Sequence, residues 1–490
     1  MKKTTALVLA LLILLSSCSS GGNGESESTK ENTSTSDTTT DSGTAAETPE
    51  SETKLMPDIP EVTYDGYTYK ILSWKEGYPT ERDLYAEGMT GEAINDSVYQ
   101  RNQTIESRYG ITLETDFEPL GSYSSFVGRV MKTNEDNYQI IYSRGIEFGS
   151  FVEQGYFRDI TQLDYIELDK PWWDKNSVSS LSISGKAFGA ISDITTRDKH
   201  ETCIVFFNKT LANNYDLPNL YSVVDEGTWT LDKMLELSGG VSDDTNGNGK
   251  VDEGDMFAMA TNWVGVTMLL HGGGARYFSK DETDTPYLSI GEERAVNLTE
   301  RILKLFADTT TLNNETRSGI GCVKNFGNEN ELFLLFALCA SESLREIDVD
   351  FGVLPMVKYE ETQAVYENTV SPHGTSILCF PTTVADTDRA TIIADALSAE
   401  SYYTLTEAYY DKVIKYKLMR DEESGRMLDM IFASRVYDIG EFYRIGGIAN
   451  ALGTLANSGK TDFASSLKTT ERLSEKTLEK FVKKVLENNT

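Results

Sequence analysis

The sequence predicts an α/β fold from about residue 61 onwards, and three observations carry that prediction. Short segments rich in β-branched and aromatic residues alternate with longer segments whose apolar residues recur every three or four positions. Turn residues such as Gly110 separate the two kinds of segment. Roughly 430 residues follow position 60, which is enough chain for two or three domain-sized units with a sizeable core.

The individual elements follow from these local patterns. In residues 92–109, Ile94 and Val98 fall on one face of a helix. Thr230 precedes an apolar-periodic segment and is expected to cap its helix. The apolar run at 332–340 is too short to span a membrane, so we expect a buried strand or helix there. The other predicted strands are 67–74, 111–117, 138–143, 185–191 and 202–207, and we expect the last two to pair with each other. The predicted helices are 92–109, 123–131, 209–215 and 230–238. From residue 390 the chain is predicted to be mainly helical and to end in a helix at 474–486.

The N-terminal residues 1–17 are predicted to be a signal peptide. Two lysines precede an apolar run at 6–15 that is shorter than the roughly 20 residues of a membrane-spanning helix. Small residues and then Cys18 follow, which resembles the lipobox of bacterial lipoproteins and implies cleavage before Cys18 and its lipidation, for example by palmitate. The alternative is an ordinary signal peptide with a chance cysteine. Residues 18–60 are rich in Ser, Thr and Glu, which predicts a disordered acidic linker.

The net charge of the chain excludes some classes of binding partner. The formal net charge of −32 argues against nucleic acid and anionic membrane surfaces. We therefore expect contact with a membrane through the lipid anchor only, although acidic surfaces also serve solubility.

An even number of later cysteines permits disulfides with three possible pairings, but their apolar neighbours favour buried thiols. These cysteines are Cys203, Cys322, Cys339 and Cys379.

Four segments together resemble those of extracellular solute-binding lipoproteins of ABC importers, of the carbohydrate-binding, family 1-like type. They are YFRDI at 156–160, VFFNK at 205–209 followed by YDLP at 215–218, GTWT at 227–230 and FGVLPM at 351–356. Gly227 departs from the pattern, since the family has proline there.

The resemblance implies a two-lobed periplasmic-binding-protein-like fold of type II, with lobes joined by crossing hinge strands. It also implies a monomer that holds a small-molecule solute, expected to be an oligosaccharide, in the cleft between the lobes. The partners would be ABC permease subunits, and the location the extracellular face of the bacterial cell membrane. The implied lobe 1 comprises residues 61–203 and about 359–400, and lobe 2 comprises 204–358 and about 401–490.

Residues 244–255 have the spacing of a twelve-residue calcium loop. Oxygen-bearing side chains fill positions 1, 3, 5, 9 and 12, a glycine stands at position 6, and a backbone carbonyl is available at position 7. Asp255 replaces the usual glutamate. An Asn/Gly-rich surface turn is the alternative to a structural calcium ion. The expected ligands are Asp244, Asn246, Asn248, Lys250 through its carbonyl, Asp252 and Asp255.

Aromatic content points to a saccharide ligand. The chain has 25 tyrosines and 5 tryptophans, and an exposed ring can pack on the C–H face of a sugar while polar side chains bond its hydroxyls. Trp74 and Trp263 are favoured because Trp74 ends a predicted strand and Trp263 precedes a glycine-rich turn. A core position explains any tryptophan equally well, and salt bridges or caps explain the polar residues. The full set of candidate ligand-binding residues is Trp74, Trp263, Trp229, Asp193, Arg144, Glu87 and Glu342.

Catalytic motifs are weak, so we predict a binding protein and no enzyme. The histidines are scattered, and there is no Gly-x-Ser-x-Gly motif. The alternatives are an exported carbohydrate-active enzyme and a ligand-sensing lipoprotein that serves a membrane kinase. The sequence does not name the ligand, because specificity depends on the shape of the cleft.

Overall fold

The computed structural model describes residues 54–75, 80–251, 254–315, 319–347, 349–410, 414 and 421–488. The predicted signal peptide, Cys18, nearly all of the predicted linker and the predicted calcium ligand Asp252 lie outside these residues. Residues Met56–Thr490 form one compact unit, and all the strands and helices described below belong to it. Within the described ranges, no helix combines the length and apolar character needed to cross a membrane.

The order of strands and helices has the alternation that the sequence predicts. The strands are β1 (Tyr67–Lys75), β2 (Ile111–Pro119), β3 (Ile140–Arg144), β4 (Cys203–Asn208), β5 (Phe257–Asn262), β6 (Phe278–Lys280), β7 (Pro286–Leu288), β8 (Leu312–Glu315), β9 (Glu331–Ala337), β10 (Phe351–Leu354), β11 (Asn368–Thr369), β12 (Ser376–Cys379) and β13 (Arg435–Val436). The helices are α1 (Thr80–Leu84), α2 (Ala93–Tyr109), α3 (Leu120–Thr133), α4 (Gly145–Glu153), α5 (Lys175–Leu181), α6 (Arg197–His200), α7 (Lys209–Asn214), α8 (Leu220–Asp225), α9 (Leu231–Leu237), α10 (Gly265–Gly272), α11 (Glu293–Ala307), α12 (Gly319–Gly327), α13 (Ala340–Glu346), α14 (Thr387–Ser401), α15 (Glu422–Ala433), α16 (Ile439–Phe442), α17 (Ile448–Asn457) and α18 (Phe463–Asn488).

Two main sheets define two lobes. The sheet of lobe 1 has the strand order β12-β3-β1-β2, with β1 parallel to β2 and β3, and β12 antiparallel to β3. The sheet of lobe 2 has the order β10-β4-β9-β5-β8. The chain therefore crosses from lobe 1 to lobe 2 between β3 and β4, and returns between β10 and β12. Shorter two-stranded sheets pair β11 with β13 and β6 with β7.

The central strands of lobe 2 explain the longest apolar runs in the sequence. Every residue of β4 is buried, and β9 lies between β4 and β5. A strand with neighbours on both sides and helices over both faces reads as a continuous apolar segment. The run at 332–340 is therefore a strand through Ala337, and α13 begins at Ala340.

Several predicted details are confirmed and two are corrected. The side chain of Thr230 accepts a hydrogen bond from the N–H of Lys233, so it caps α9 as expected. The expected pairing of 185–191 with 202–207 is wrong, because β4 pairs with β9 and β10, whereas Ala190 forms a bridge with Leu378 of lobe 1. An apolar pattern marks a strand but does not choose its partner. The last helix is longer than predicted and begins at Phe463.

The C-terminal helices contact both lobes. α15 packs on β10 of lobe 2, whereas α16 and α18 contact α4 of lobe 1 as well as β6 or β7 of lobe 2. The approach to α4 is close: a Cβ added at Gly149 would lie 2.5 Å from the Cα of Tyr443. The hydroxyl of Tyr443 also donates to the carbonyl of Leu181 at 2.6 Å. The C-terminal segment thus connects the lobes in addition to the two crossings.

Cys203 and Cys379 are buried free thiols, as their apolar sequence neighbours predict. Their sulfur atoms donate to the carbonyls of Glu201 and Ile377 at 3.8 and 3.5 Å. Burial raises the pKa of both thiols well above the ordinary value. We therefore assign them to core packing.

Candidate functional site

A small pocket lies where the two lobes and the C-terminal helices meet. Trp263 directly follows β5 of lobe 2, and His373 lies on the return crossing that leads to β12 of lobe 1. α16 and the turn before α17 provide the remaining wall. The cavity volume is about 20 Å³, which is room for about one water molecule. This interlobe pocket is lined by Trp263, Pro372, His373, Gly440, Glu441, Arg444, Gly447, Ala449 and Asn450.

Two rings form the aromatic part of the interlobe pocket. Trp263 is partly exposed, and its ring centroid lies 5.3 Å from that of His373 with an interplanar angle of 85°. Burial, together with the charges of Arg444 and Arg144, lowers the pKa of His373 to about 4. At neutral pH the imidazole is therefore uncharged, with one ring nitrogen as a donor and the other as an acceptor.

The carboxyl group of Glu441 is protonated at a higher pH than that of an ordinary glutamate. Burial raises the pKa of Glu441 to about 8, with a further contribution from the nearby Asp438, while Arg444 acts in the opposite direction. Below that pH the group is predominantly a neutral carboxylic acid, which can donate as well as accept a hydrogen bond.

Two arginines border the pocket from different elements. Arg444 is exposed and has a left-handed backbone with φ 52°, and Gly446 and Gly447 continue the turn at φ 63° and 66°. This turn directs the chain from α16 into α17. Arg144 ends β3, and its guanidinium donates to both carboxylate oxygens of Glu147 at 2.9 Å.

The first crossing carries a dense cluster of buried charges, which we call the hinge cluster. Lys199 Nζ donates to Asp193 at 2.8 Å and to Asp198 at 3.3 Å. Arg197 donates to Glu201 at 2.9 Å and to the carbonyl of Gly374, on the return crossing, at 3.0 Å. Burying so many charges is favourable only when each has partners. The hinge cluster consists of Asp193, Arg197, Asp198, Lys199, His200 and Glu201, all of them buried.

His200 connects the hinge cluster to both lobes. A guanidinium nitrogen of Arg197 donates to Nδ1 of His200 at 3.0 Å, so the proton of a neutral imidazole lies on Nε2, which donates to Glu342 at 2.7 Å. Glu342 belongs to α13 of lobe 2, and Arg82 of α1 in lobe 1 lies 3.7 Å from it. Burial would raise the pKa of Glu342, but His200, Arg82 and Arg197 outweigh it and lower that pKa.

The structure brings four of the seven candidate ligand-binding residues to these two places. Trp263 lines the interlobe pocket, and Arg144 acts electrostatically on its His373. Asp193 and Glu342 instead belong to or contact the hinge cluster, where protein groups already occupy their oxygens.

The other three candidates lie elsewhere. Trp229 is fully buried, and its indole N–H donates to the carbonyl of Pro355 at 2.9 Å, so the expected cleft position is corrected to a core position. Trp74 is also fully buried, with the Arg197 guanidinium 6.0 Å from its ring centroid, so its expected position in an open cleft is corrected as well. Glu87 is exposed in the loop after α1.

Sequence reasoning missed His373, Glu441 and Arg444. They belong to segments that are far apart in the chain and have no shared motif, so only the fold brings them together. The Gly446-Gly447 pair was the available signal, because adjacent glycines between two helices indicate a turn with positive φ.

Residues 244–249 form a tight loop around the carboxylate of Asp244. The Asp244 oxygens accept from the N–H groups of Gly247, Asn248 and Gly249 at 2.8, 3.1 and 2.6 Å. Asp255 is buried and accepts from the N–H of Asn246 at 3.2 Å. Within the described ranges, which leave out Asp252, no three His, Cys, Asp or Glu side chains are grouped as metal ligands. The calcium site therefore stays a prediction.

This two-lobed α/β architecture is that of the maltose-binding-like solute-binding proteins of ABC importers, which confirms the predicted fold class. A family 1 extracellular solute-binding protein from Bifidobacterium longum subsp. infantis has 14% sequence identity and a TM-score of 0.56, covering 85% of this chain and 100% of its own. A cyclo/maltodextrin-binding protein complexed with maltotetraose has 14% identity and a TM-score of 0.55, covering 86% and 97%.

A third solved structure is the ABC substrate-binding protein Lmo0181 from Listeria monocytogenes in complex with cycloalternan. It has 11% identity and a TM-score of 0.52, and covers 86% of this chain and 99% of its own. No protein-family model matches the sequence, and no curated protein matches it significantly. At such low identities the likeness extends to the fold, and the functional argument must come from the site.

Proposed function

We propose that this protein is the extracellular, lipid-anchored binding subunit of an ABC importer, which captures a saccharide between its lobes and delivers it to the permease. The observation that carries the proposal is the interlobe pocket, where the partly exposed Trp263 of lobe 2 lies among polar side chains from the return crossing and the C-terminal helices. The solved structures with this fold include proteins described as bound to maltotetraose and to cycloalternan.

The pocket offers the two kinds of contact that a sugar needs. Trp263 presents an aromatic face to the C–H groups of a pyranose ring. Around it, Glu441, His373 and Asn450 supply hydrogen-bond donors and acceptors for hydroxyl groups. A mostly apolar surface with a few well-placed polar groups is typical of small-molecule sites.

Binding requires the lobes to move apart. The cavity of about 20 Å³ is far smaller than a ligand pocket of roughly 300–1,000 Å³. Two crossings join the lobes, and hinge motion at such crossings opens and closes a cleft without repacking either core. The ionic contacts of Arg82 and His200 with Glu342 would form as the lobes close. The closed, ligand-bound shape is the one that we propose docks on the permease.

We also propose binding without catalysis. The acidic and basic side chains of the hinge cluster are bonded to one another or to protein groups beside them, and Glu441 and His373 are the titratable residues that line the pocket with Trp263 and Arg444. A saccharide should therefore leave the protein chemically unchanged.

Thermal-shift screening of the mature protein against a panel of oligosaccharides tests the proposal. One saccharide class should raise the melting temperature, since ligand at 100 times Kd stabilises the folded state by about 2.7 kcal/mol. Chromatography of the same mixtures should show no cleavage products. Stabilisation by peptides or polyamines but by no saccharide would refute the proposal, and product formation would favour the enzyme alternative.

We propose, in addition, a structural calcium ion in the 244–255 loop. Its side-chain oxygens from Asp244, Asn246, Asn248 and Asp255 match the oxygen ligands that calcium prefers. Calcium chloride should raise the melting temperature of the EGTA-treated protein, and Asp244→Asn should remove most of that rise. Asp164→Asn, an exposed aspartate in another turn, is the matched control. An equal response to calcium in wild type and Asp244→Asn would contradict the site.

A further inference from the structure

The interlobe pocket includes a basic side chain, in a chain whose net charge is strongly negative. Arg444 lines it, and Arg144 acts on the same His373 from the end of β3. The charge of Arg144 is matched by Glu147, with which it forms a bidentate pair. The guanidinium of Arg444 makes no hydrogen bond or ion pair with another described residue. In a protein of net charge −32, this exposed arginine beside the partly exposed Trp263 is a candidate contact for an anionic group of the ligand.

The acidic groups near the pocket do not neutralise Arg444. Glu441 favours its protonated form, because burial raises its pKa to about 8. Asp438 is directed away and accepts from the N–H groups of Tyr277 and Gly440 at 2.9 and 2.6 Å. His373 is uncharged at neutral pH. Among the groups that line the pocket, Arg444 is therefore the charged side chain available to a ligand at neutral pH.

We propose that the captured saccharide is acidic, with a uronic-acid ring stacked on Trp263 and its carboxylate bound by Arg444. This inference rests on the proposed function and specifies its substrate class. The planar guanidinium matches a carboxylate with two parallel hydrogen bonds, a geometry that a hydroxyl group cannot provide.

The backbone around Arg444 supports a binding role. Arg444 has φ 52°, a conformation that is unfavourable for residues other than glycine, and such strain persists where surrounding structure imposes it, often at ligand sites. The turn also places the first residues of α17, Ala449 and Asn450, on the pocket wall. No side chain caps this helix, so its first N–H groups add to the positive potential, although the guanidinium is the recognition group.

Titration calorimetry with matched saccharide pairs tests the inference. The probes are oligomers of galacturonate, glucuronate, mannuronate and guluronate, each beside the neutral oligomer of the corresponding hexose and the same length. At least one uronate should bind ten times more tightly than its neutral counterpart. Raising sodium chloride from 50 to 500 mM should weaken that binding, since salt screens the attraction between the charges.

Two variants attribute the effect to the pocket. Arg444→Gln should reduce the affinity for the uronate at least tenfold and leave the ligand-free melting temperature within a few degrees of wild type. Arg129→Gln, which removes the same charge from an exposed position on α3, should leave the affinity unchanged.

The outcomes separate the two proposals. Binding of neutral oligomers with no preference for any uronate would overturn the acidic-ligand inference and leave the proposed function standing. An absence of binding to every saccharide of either class would overturn the proposed function and the inference with it. Tight uronate binding that survives Arg444→Gln and high salt would overturn the role assigned to Arg444.

Discussion

Trp229 and Trp263 show how differently two tryptophans can be used within one lobe. Trp229 is completely buried against Phe333 and donates to Pro355, whereas Trp263 is partly exposed at the interlobe pocket. Trp229→Ala should therefore destabilise the protein by about 3–5 kcal/mol, because it removes a large core side chain. Trp263→Ala should cost about 1 kcal/mol or less but reduce saccharide affinity at least tenfold.

Urea unfolding and ligand titration of both variants check this pair of predictions. Trp263→Phe is the control, since it keeps an aromatic face and should recover much of the affinity. Unchanged affinity in Trp263→Ala would remove the ring from the binding site. A loss of stability in Trp263→Ala equal to that in Trp229→Ala would show that both are core residues.

Glu331 predicts a pH dependence of stability. The side chain is fully buried, its Oε1 accepts from Asn313 at 3.1 Å, and burial raises its pKa from 4.5 to about 8. Between these two values the folded state holds a proton that the unfolded state has released. The contribution of this group to stability is therefore present below about pH 4.5 and is lost as the pH rises towards 8.

Glu331→Gln should flatten that decline, because the amide has no proton to lose. Relative to wild type, the free energy of unfolding of the variant should rise by a few kcal/mol between pH 5 and 8. Urea titrations at several pH values measure it, and Glu475→Gln, an exposed site on α18, is the matched control. A constant difference between Glu331→Gln and wild type over this range would contradict the assignment.

At the scale of elements, α4 depends on a glycine for its contact with the C-terminal segment. A Cβ at Gly149 would meet the backbone of Tyr443 at 2.5 Å, and a backbone cannot move aside as a side chain can. Gly149→Ala should therefore cost at least ~2 kcal/mol, as overpacked contacts do. Thermal and urea unfolding measure the change.

Gly121 in α3 is the matched control for this prediction. Nothing lies within 4 Å of a Cβ at that position, so Gly121→Ala should be neutral or stabilise the protein by up to ~1 kcal/mol through helix propensity. Similar effects of the two substitutions would show that the contact between α4 and Tyr443 is not as close as described.

Strands illustrate which part of an element the sequence specifies. The spans of β1, β2 and β4 follow from local strand patterns, and Thr230 could be recognised as a cap from its position alone. The apolar run that contains β9 left strand and helix open. The partners of β4 could not be recognised, because every inner strand of a buried sheet presents a similar apolar surface. In the folded chain β4 pairs with β9 and β10 and not with the segment at 185–191, and this pairing depends on long-range packing.

At the scale of the whole molecule, the N-terminal cysteine is expected to hold the binding unit near the permease. Cys18→Ala should release the protein from the membrane fraction into the medium, since a signal peptide without a lipidated cysteine leaves no anchor. Cell fractionation with immunoblotting measures this. Cys339→Ser, a partly exposed site in the folded unit, should remain anchored; equal release of both variants would argue against lipidation at Cys18.

The sequence alone predicted the α/β class and the spans of several elements, such as β1, β4 and α2, because these depend on residue periodicity within short segments. Four short motifs carried the two-lobed resemblance. The sequence also predicted Trp263 and Arg144 as ligand-binding residues, and in the structure both interact with His373. Only the tertiary structure decided that Trp229 is a core residue and that Asp193 belongs to the hinge cluster.

Only the tertiary structure also decided that Trp263, His373, Glu441 and Arg444 line one pocket. These residues lie on separate elements, and their charges, exposure and protonation depend on which chain segments the folded lobes bring within a few ångströms of one another. No local pattern encodes that arrangement, since each segment alone is an ordinary loop or helix end.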